Sequence, residues 1–475
     1  MPIDVSVKGS PGWWLNRLTR RMLDKGRQDR IKLLTDWHGG DPPMLPGHEA
    51  AKPAFHAFLN ESRSNFAELI VEAAQERMTP SGIRTAAGTD ETGDATAWSM
   101  WTDAGLLLTS FDVHDKMLAT GRGYALVGDV DADTGVPLVT AEDPRQCITE
   151  QDPARPQRTM AAAKLYRDEL AGEDVAYLYL PGTVFRATSP FTGSDAVLPL
   201  QRRIGWSPQA FDWDTARGGQ DGDPLPDRLR GAVPMVKFTN RHGTGEFETH
   251  LPLLARINRQ ILHRMSIVAL QAFKQRAIKG VPVKDAKGND IDYADIFESG
   301  PDALWILPAS AELWESGSVD ISAVLGAARE DVKHLAAVSR TPIHMLDPSG
   351  ENQSAEGAAL SREGLVFRVE DRIARADAGW TRVLDLMFRW LDDERAGKPA
   401  RLMWRPAERD SLAERASAAS QLALVAPQEW IWSSVLQAAP DEITRMQSQR
   451  ADQALLAPAL TATQQAPAGG SAGRA

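Results

Sequence analysis

Residues 353–391 read QSAEGAALSREGLVFRVEDRIARADAGWTRVLDLMFRWL, and no proline interrupts the chain between Pro348 and Pro399. Apolar Val366, Val369, Ile373, Ala376, Trp380, Val383, Met387 and Trp390 step by alternating threes and fours. That period predicts one long helix with a buried stripe. It would span about 58 Å from Gln353 to Leu391 at about 1.5 Å per residue. Gly357, Gly364 and Gly379 each weaken it by about 1 kcal/mol relative to alanine, so a bend is expected near Gly364. Just before it, residues 342–354 read PIHMLDPSGENQS, a non-helical run rich in small polar residues. Taken alone, this run is either a connector whose Asn352 or Ser354 caps the next helix or a loop free to protrude.

Bulk properties bound the rest. At 475 residues the chain exceeds one ordinary core, and about two to four domains or subdomains are expected. With 43% apolar and 25% charged residues it is globular in composition, and its formal charge of −11 argues against a generally basic, nucleic-acid-coating surface. The single cysteine, Cys147, excludes an intramolecular disulfide and a cysteine-based zinc site, and is expected to be an inert small hydrophobe in a reducing compartment. The opening MPIDVSVKGSPGWWLNRLTRR lacks a signal-peptide apolar core, and no run of about 18 apolar residues occurs, so a soluble, unexported protein is expected. The 14 tryptophans suit either subunit contacts or core packing.

Outward from the long helix, the pattern is mixed. Residues 13–38 give a basic amphipathic helix, or two short ones, ended by the turn HGGDPPMLPGHE. Residues 53–78 and 98–120 read as helices. GRGYALVGDVDADTGVPLVTAEDP alternates around a DTG turn and predicts a β-hairpin, and VAYLYLPGTVFRAT and VPMVKFTN predict further strands. From Thr249, a candidate N-cap, Leu254, Ile257, Ile261, Met265 and Val268 predict a helix running to Gly280 and Pro282. That segment holds six Lys or Arg and no acid, with Arg256, Arg259, His263 and Lys274 opposite the apolar stripe. Residues 281–320 reverse the balance, with Asp290, Asp292, Asp295 and Glu298 among nine acids against Lys284 and Lys287, and predict a small α/β insert. A second helix is expected from Ser322 to about Arg340, and helices follow Pro399, including MWRPAERDSLAERASAASQLALV. The final PALTATQQAPAGGSAGRA is low in complexity and is expected to be disordered.

Catalytic patterns are missing. GRGYALVG spaces its glycines wrongly for a dinucleotide fingerprint, and no GxxxxGK[ST] phosphate loop or GxSxG elbow occurs. The nine histidines are scattered, without HxxxH or another metal spacing. Asp392–Asp393 reads as a solvated helix end rather than an acid/base couple. No catalytic residue, metal or cofactor is expected.

Several of these segments, in this order, resemble the portal proteins of tailed double-stranded DNA bacteriophages, of the long-tailed actinobacteriophage type. They are the first helix with DWHGGDPPML, then WSMWTDAGLLLTSFDVHDKMLATGRGYALVGDVD with EDPRQCITEQDP downstream. They continue with VPMVKFTNRHGTGEFETHLPLLARINRQILHRMSIVALQAFKQRAIKG and TPIHMLDPSGENQSAEGAALSREGLVFRVEDRIARADAGW. The resemblance covers about residues 13–450 and is one of order and composition rather than of a catalytic signature. Trp37-His38 departs from the more usual paired tyrosines, and the acidic insert is short.

The resemblance implies an α+β portal fold. Residues 1–247 would be a mixed α/β wing, 249–280 and 322–341 two stem helices, and 281–321 a small clip. Residues 342–353 would be a tunnel loop, 354–399 a tunnel helix, 400–456 a helical crown and 457–475 a disordered tail. It further implies a homo-oligomeric ring of about twelve subunits at a capsid vertex of the virion, assembled in the host cytoplasm, through which double-stranded DNA passes without sequence specificity. Terminase, major capsid and scaffold proteins, and a head-tail adaptor are the implied partners, with no membrane.

On that reading Ser349, Gly350, Glu351, Asn352 and Gln353 form a constriction that adapts to a moving duplex. A duplex must slide, and every phosphate neutralised by Lys or Arg adds affinity through counterion release, so an acidic total suits a conduit better than a clamp. The stem charges Arg256, Arg259, Lys274, Lys333 and Arg340 would either face the bore or pair with acids of a neighbouring subunit, and pairing is favoured because a closed ring must satisfy charges across every interface. Asp290, Asp292, Asp295 and Glu298 would dock partners. Two other readings remain at this point: a capsid or head-tail connector component without a DNA channel, and a cytoplasmic metal-dependent hydrolase with dispersed carboxylates.

Overall fold

The computed structural model of the chain describes residues 2–43, 56, 59–86, 93–190, 206–272, 276–279, 284, 287–288, 312–315, 321–347, 355–408 and 412–464, with the backbone alone described at 270–272, 276–278, 312–315, 355–361 and 454–464. The fold is α+β. Its described elements begin with α1 (Pro11–Met22), α2 (Lys25–His38), α3 (Phe66–Gln75), β1 (Pro80–Thr85), α4 (Ala95–Asp103) and α5 (Leu106–Thr120). Strands follow: β2 (Arg122–Val130), β3 (Pro137–Glu142), β4 (Cys147–Gln151), β5 (Thr159–Asp168), β6 (Glu173–Leu180), β7 (Thr183–Pro190), β8 (Asp212–Trp213), β9 (Asp223–Pro224) and β10 (Met235–Thr239). Then come α6 (Leu251–Ala272), β11 (Arg276–Lys279), β12 (Glu312–Glu315), α7 (Ile321–Ser339), α8 (Ile343–Leu346) and α9 (Ala355–Trp390). The chain closes with β13 (Ala400–Trp404), α10 (Leu412–Leu422) and, past a short helical turn, α11 (Pro440–Gln464). Two compact units result: Met1–Pro43, Asn65–Leu251 and Leu335–Ala475 in one, Met44–Ser64 and Pro252–His334 in the other.

In the larger unit the strands make three sheets, ordered β4-β5-β6-β7-β8 with β9 on β7, β10-β2-β3, and β1-β13. The first is covered on both faces. On one, Leu15, Leu18 and Met22 of α1 pack with Ala161, Ala163, Ala176 and Ala187, whose small side chains give the helix a flat bed. On the other lie Cys147, Ala162, Tyr179 and Met235. The alternation of Ala161 and Ala163 against Ala162 is the period of a strand buried on both sides. Cys147 is a free, buried thiol, pushed well up from its usual value by burial.

The first basic segment is two helices, each opened by a side chain: Ser10 Oγ accepts from Trp13 N at 3.2 Å, and Asp24 Oδ2 accepts from Arg27 N at 3.1 Å. Residues 98–120 are also two helices, parted at Gly105 in the left-handed region with φ 65°. Among the described residues of 53–78, for which one helix is expected, residues 56 and 59–61 and α3 are helical, and the backbone leaves helix at 62–65, where Asn65 Oδ1 accepts from Glu68 N.

The long helix runs unbroken from Ala355 to Trp390. Its buried stripe is rotated from the expected one. Leu365, Val369, Ala376, Trp380, Val383 and Met387 are buried with Arg368 and Arg372, while Val366 and Ile373 are half-buried. Trp380 lies edge-on to Trp101 with ring centroids 5.1 Å apart, sits 4.8 Å from Phe238, and donates from Nε1 to His114 Nε2 at 2.9 Å. Gly379 is a notch: a Cβ there would stand inside van der Waals contact of the Phe238 ring. At Gly364 the nearest atom to such a Cβ is Arg340 Cβ at 3.6 Å, an ordinary contact.

Three other expectations need correction. Residues 400–404 form not a helix but strand β13, paired antiparallel with β1 through Ile83↔Leu402 and Thr85↔Ala400. The basic helix ends at Ala272 rather than Gly280, because Arg276–Lys279 is a strand in register with Glu312–Glu315. Arg276 stands opposite Glu315 and Lys279 opposite Glu312, so two of the nine acids noted in the sequence face basic residues across a strand pair. Finally α11 continues past residue 457 to Gln464, its Ala- and Leu-rich run favouring helix where disorder was expected.

In the smaller unit Leu254, Ile257 and Leu262 of α6 are buried, Ile261 and Met265 are half-buried, and Val268 is 48% exposed, so the expected stripe holds only in its first half.

Two measurements test this packing. Gly379→Ala should cost about 1–3 kcal/mol through overpacking against Phe238, whereas Gly364→Ala should gain about 1 kcal/mol, both read from denaturant midpoints. His114 is fully buried and burial holds its pKa down to about 3, against an ordinary 6.5. Above 6.5 folded and unfolded chains are both neutral at this site. Below it the unfolded chain takes a proton that folded His114 refuses, so stability should fall from pH 6.5 towards pH 3. His114→Gln, which keeps an acceptor for Trp380, should lose less stability between pH 7 and pH 5 than the wild type does.

Candidate functional site

β10 feeds residues 240–245, NRHGTG, a tight turn organised by one side chain. Asn240 Oδ1 accepts from Arg241 N at 2.7 Å, and Asn240 Nδ2 donates to Thr244 O and to Glu246 Oε1, both at 2.8 Å. Gly245 is required, since a Cβ there would overlap Ala119 O. Glu246 N then donates to Leu118 O at 2.8 Å, which points the Glu246 carboxylate inward with a side-chain exposure of 3%.

Two arginines of α9 converge on it. Arg372 Nε lies 2.5 Å from Glu246 Oε1, and Arg368 Nε lies 3.8 Å from Glu246 Oε2. Arg368 also reaches two other segments: Nη1 donates to Ser339 O and to Thr341 Oγ1, the latter at 3.3 Å, and Nη2 to Ile70 O at 3.3 Å. Arg372 Nη1 pairs with Asp371, which Arg375 grips with two bonds at 2.9 and 3.1 Å. Burial draws the Arg368 guanidinium down to about 10, with Glu246 opposing the shift. At Arg372 burial acts in the same sense, but the bonds to Glu246 and Asp371 outweigh it and its pKa is raised. Burial and the nearby charge of Arg368 lower His250. The cluster thus ties α9 to the end of α7, to α3 and to the turn after β10.

In the smaller unit the facing charges of α6 and α7 meet directly. Arg256 Nε and Nη2 donate to Asp331 at 2.9 and 2.5 Å, and Gln260 Nε2 donates to Asp331 Oδ2 at 2.8 Å. Asp331 is buried, so Arg256, exposed over half its side chain, is committed to an acid of its own chain. Arg259 is exposed and its side chain makes no hydrogen bond or ion pair among the described residues. Lys333 pairs with Glu330 at 2.7 Å, both exposed, so solvent screens the contact and it adds little. Arg340 ends α7 in the left-handed region, φ 53°, in the larger unit.

Lys274, the acids Asp290, Asp292, Asp295 and Glu298, and the loop residues Ser349, Gly350, Glu351, Asn352 and Gln353 lie outside the described residues. Among the described residues no three or more His, Cys, Asp or Glu are placed to hold a metal ion. The ion cluster of Glu246, Arg368 and Arg372 was not read from sequence. A signal was present, since Arg368 and Arg372 fall in step with Leu365, Val369 and Ala376 on the buried face.

No protein-family model matches this chain, and no curated protein does so. Among solved structures, a chain of the virion of a native gene transfer agent particle is similar at 12% identity and a TM-score of 0.43, over 87% of this chain and 94% of that one. A chain from the neck of an empty gene transfer agent particle, computed with C6 symmetry, shows 14% identity and a TM-score of 0.39 over 83% and 88%. One from the neck of a native particle, computed with C12 symmetry, shows 12% and 0.41 over 86% and 98%.

Removing the central acid should be costly, because it leaves two buried guanidinium groups facing each other. Glu246→Ala should lose about 3–5 kcal/mol in a denaturant titration, whereas Glu330→Ala, which removes only a solvent-screened surface carboxylate, should lose far less. Equal losses for the two would contradict the energetic rank given to the cluster.

Proposed function

We propose that the chain is the subunit of a homo-oligomeric ring, of about twelve copies, that forms the portal at one vertex of a phage-type capsid and carries double-stranded DNA in and out. The observation that carries this reading is the order of elements in the second half of the chain. Helix α6, the strand pair β11 and β12, and helix α7 are followed by residues 341–354 and then by the 36-residue helix α9. On this reading α6 and α7 are the stem, residues 281–321 the clip, 342–353 the tunnel loop, α9 the tunnel helix, the α+β region up to 247 the wing, and the helices after 400 the crown.

The physics of the task agrees. A passage for a polyanion needs walls that do not hold it, and the chain carries 64 acids against 53 Lys and Arg. A loop that narrows the passage needs a firm base, and the residues on either side of 348–354 meet at Arg368, which bonds Ser339 and Thr341. The work done is mechanical and requires no catalytic group. Terminase at the clip, capsid and scaffold proteins around the wing, and a head-tail adaptor complete the proposed assembly.

Deleting 349–353 tests the role of the loop. Particles built with the shortened chain should assemble in normal number but package or retain less DNA. If assembly itself fails, the loop is architectural. If packaging is untouched, the chain belongs to another part of the capsid or connector.

A further inference from the structure

A polar cavity of about 230 Å³ opens beside the Glu246 cluster, within the larger unit. Its walls hold four arginines, Arg241, Arg340, Arg368 and Arg372, against two carboxylates, Glu246 and Asp371. Both carboxylates are engaged, Glu246 by Arg372 and Asn240, and Asp371 by Arg372 and Arg375. The surplus is therefore positive. Arg241 and Arg340 are exposed at the rim, and their guanidinium groups have no ion pair or side-chain hydrogen bond among the described residues. Beneath them Arg368, with 6% of its side chain exposed, keeps a buried Nε that no hydrogen bond satisfies.

The backbone points the same way. Arg340 closes α7 in a Schellman arrangement, with Thr341 N bonded to Ala336 O at 3.0 Å and Arg340 N to Ala337 O at 3.4 Å. The left-handed position of that motif, φ 53° here, is where glycine ordinarily sits. His242, which also lines the cavity, has a positive φ as well, 57°. Of the four non-glycine residues in the left-handed region among those described, two line this one cavity. A long cationic side chain kept at a glycine position is conformationally costly, and a cost of this kind persists where the side chain has work to do.

We propose that this cavity binds a phosphate group, with Arg340 and Arg241 closing on its oxygens and Arg368 supplying the field below. Guanidinium forks match the oxygens of a tetrahedral oxyanion in pairs. The group is either free inorganic phosphate or a phosphodiester of a nucleic-acid backbone. The inference does not depend on the portal reading. Because Arg340 precedes residues 348–354 and Arg368 follows them, occupancy would couple the two ends of that segment.

The test uses the full chain at constant ionic strength, with chloride exchanged for inorganic phosphate or for a 12-base-pair DNA duplex. Wild type should gain on the order of 2 °C in thermal midpoint for each tenfold rise in phosphate above its dissociation constant. Arg340→Gly suits the left-handed backbone, so it should match or exceed the wild-type midpoint in chloride while its phosphate affinity falls tenfold or more. Arg241→Gln should weaken phosphate to a similar degree. A duplex that competes with phosphate in the wild type but not in the variants identifies a phosphodiester as the source, and a duplex without effect identifies free phosphate. No phosphate or duplex effect in the wild type overturns the proposal, and so does an effect that survives intact in both variants.

Discussion

One buried carboxylate sets the geometry of the larger unit. Glu246 is held by the turn after β10 and in turn holds Arg368 and Arg372 of the 36-residue helix. Charges out of water are costly unless their partners are placed well, so the arrangement is better understood as specifying position than as adding stability. An apolar contact would let α9 slide by a turn along its own stripe. A guanidinium that must find Glu246, Ser339, Thr341 and Ile70 together does not permit that. The register of α9 against the sheets follows from this constraint.

Shape contacts extend the same register along the helix. About two turns past the ion cluster the Phe238 ring seats against Gly379, and Trp380 is bonded to His114 and packed against Trp101 and Phe238. Six of the twelve tryptophans whose side chains are described are core residues: Trp37, Trp98, Trp101, Trp213, Trp380 and Trp390 are all buried. The helix is thus fastened by charge at one level and by interlocking aromatic surface at the next.

What could be read from the sequence divides along a physical line. Features carried by short-range periodicity or by local caps were legible, among them the continuity of α9, the β2–β3 hairpin, the β6–β7 pair and the helix ending near Arg340. Features that depend on distant partners were not. The β1–β13 pair joins residues more than half the chain apart, and nothing in ARLMW predicts that PSGIRT will be its neighbour. β5, rich in alanine, has weak strand propensity and forms because its small side chains fit under α1. Arg368 and Arg372 look like solvated helix charges until Glu246 is placed beside them. Arg256, read as a charge open to the bore or to a neighbour, is bonded to Asp331 of its own chain.

The central claim is that many copies of this chain enclose a passage for a charged polymer. Single-particle electron microscopy of the purified full-length chain, alone and mixed with linear duplex DNA, tests it most directly. The account predicts closed rings with an axial opening through which duplex density runs. Compact single copies at every concentration, or rings with DNA bound only along their outer surface, would contradict it.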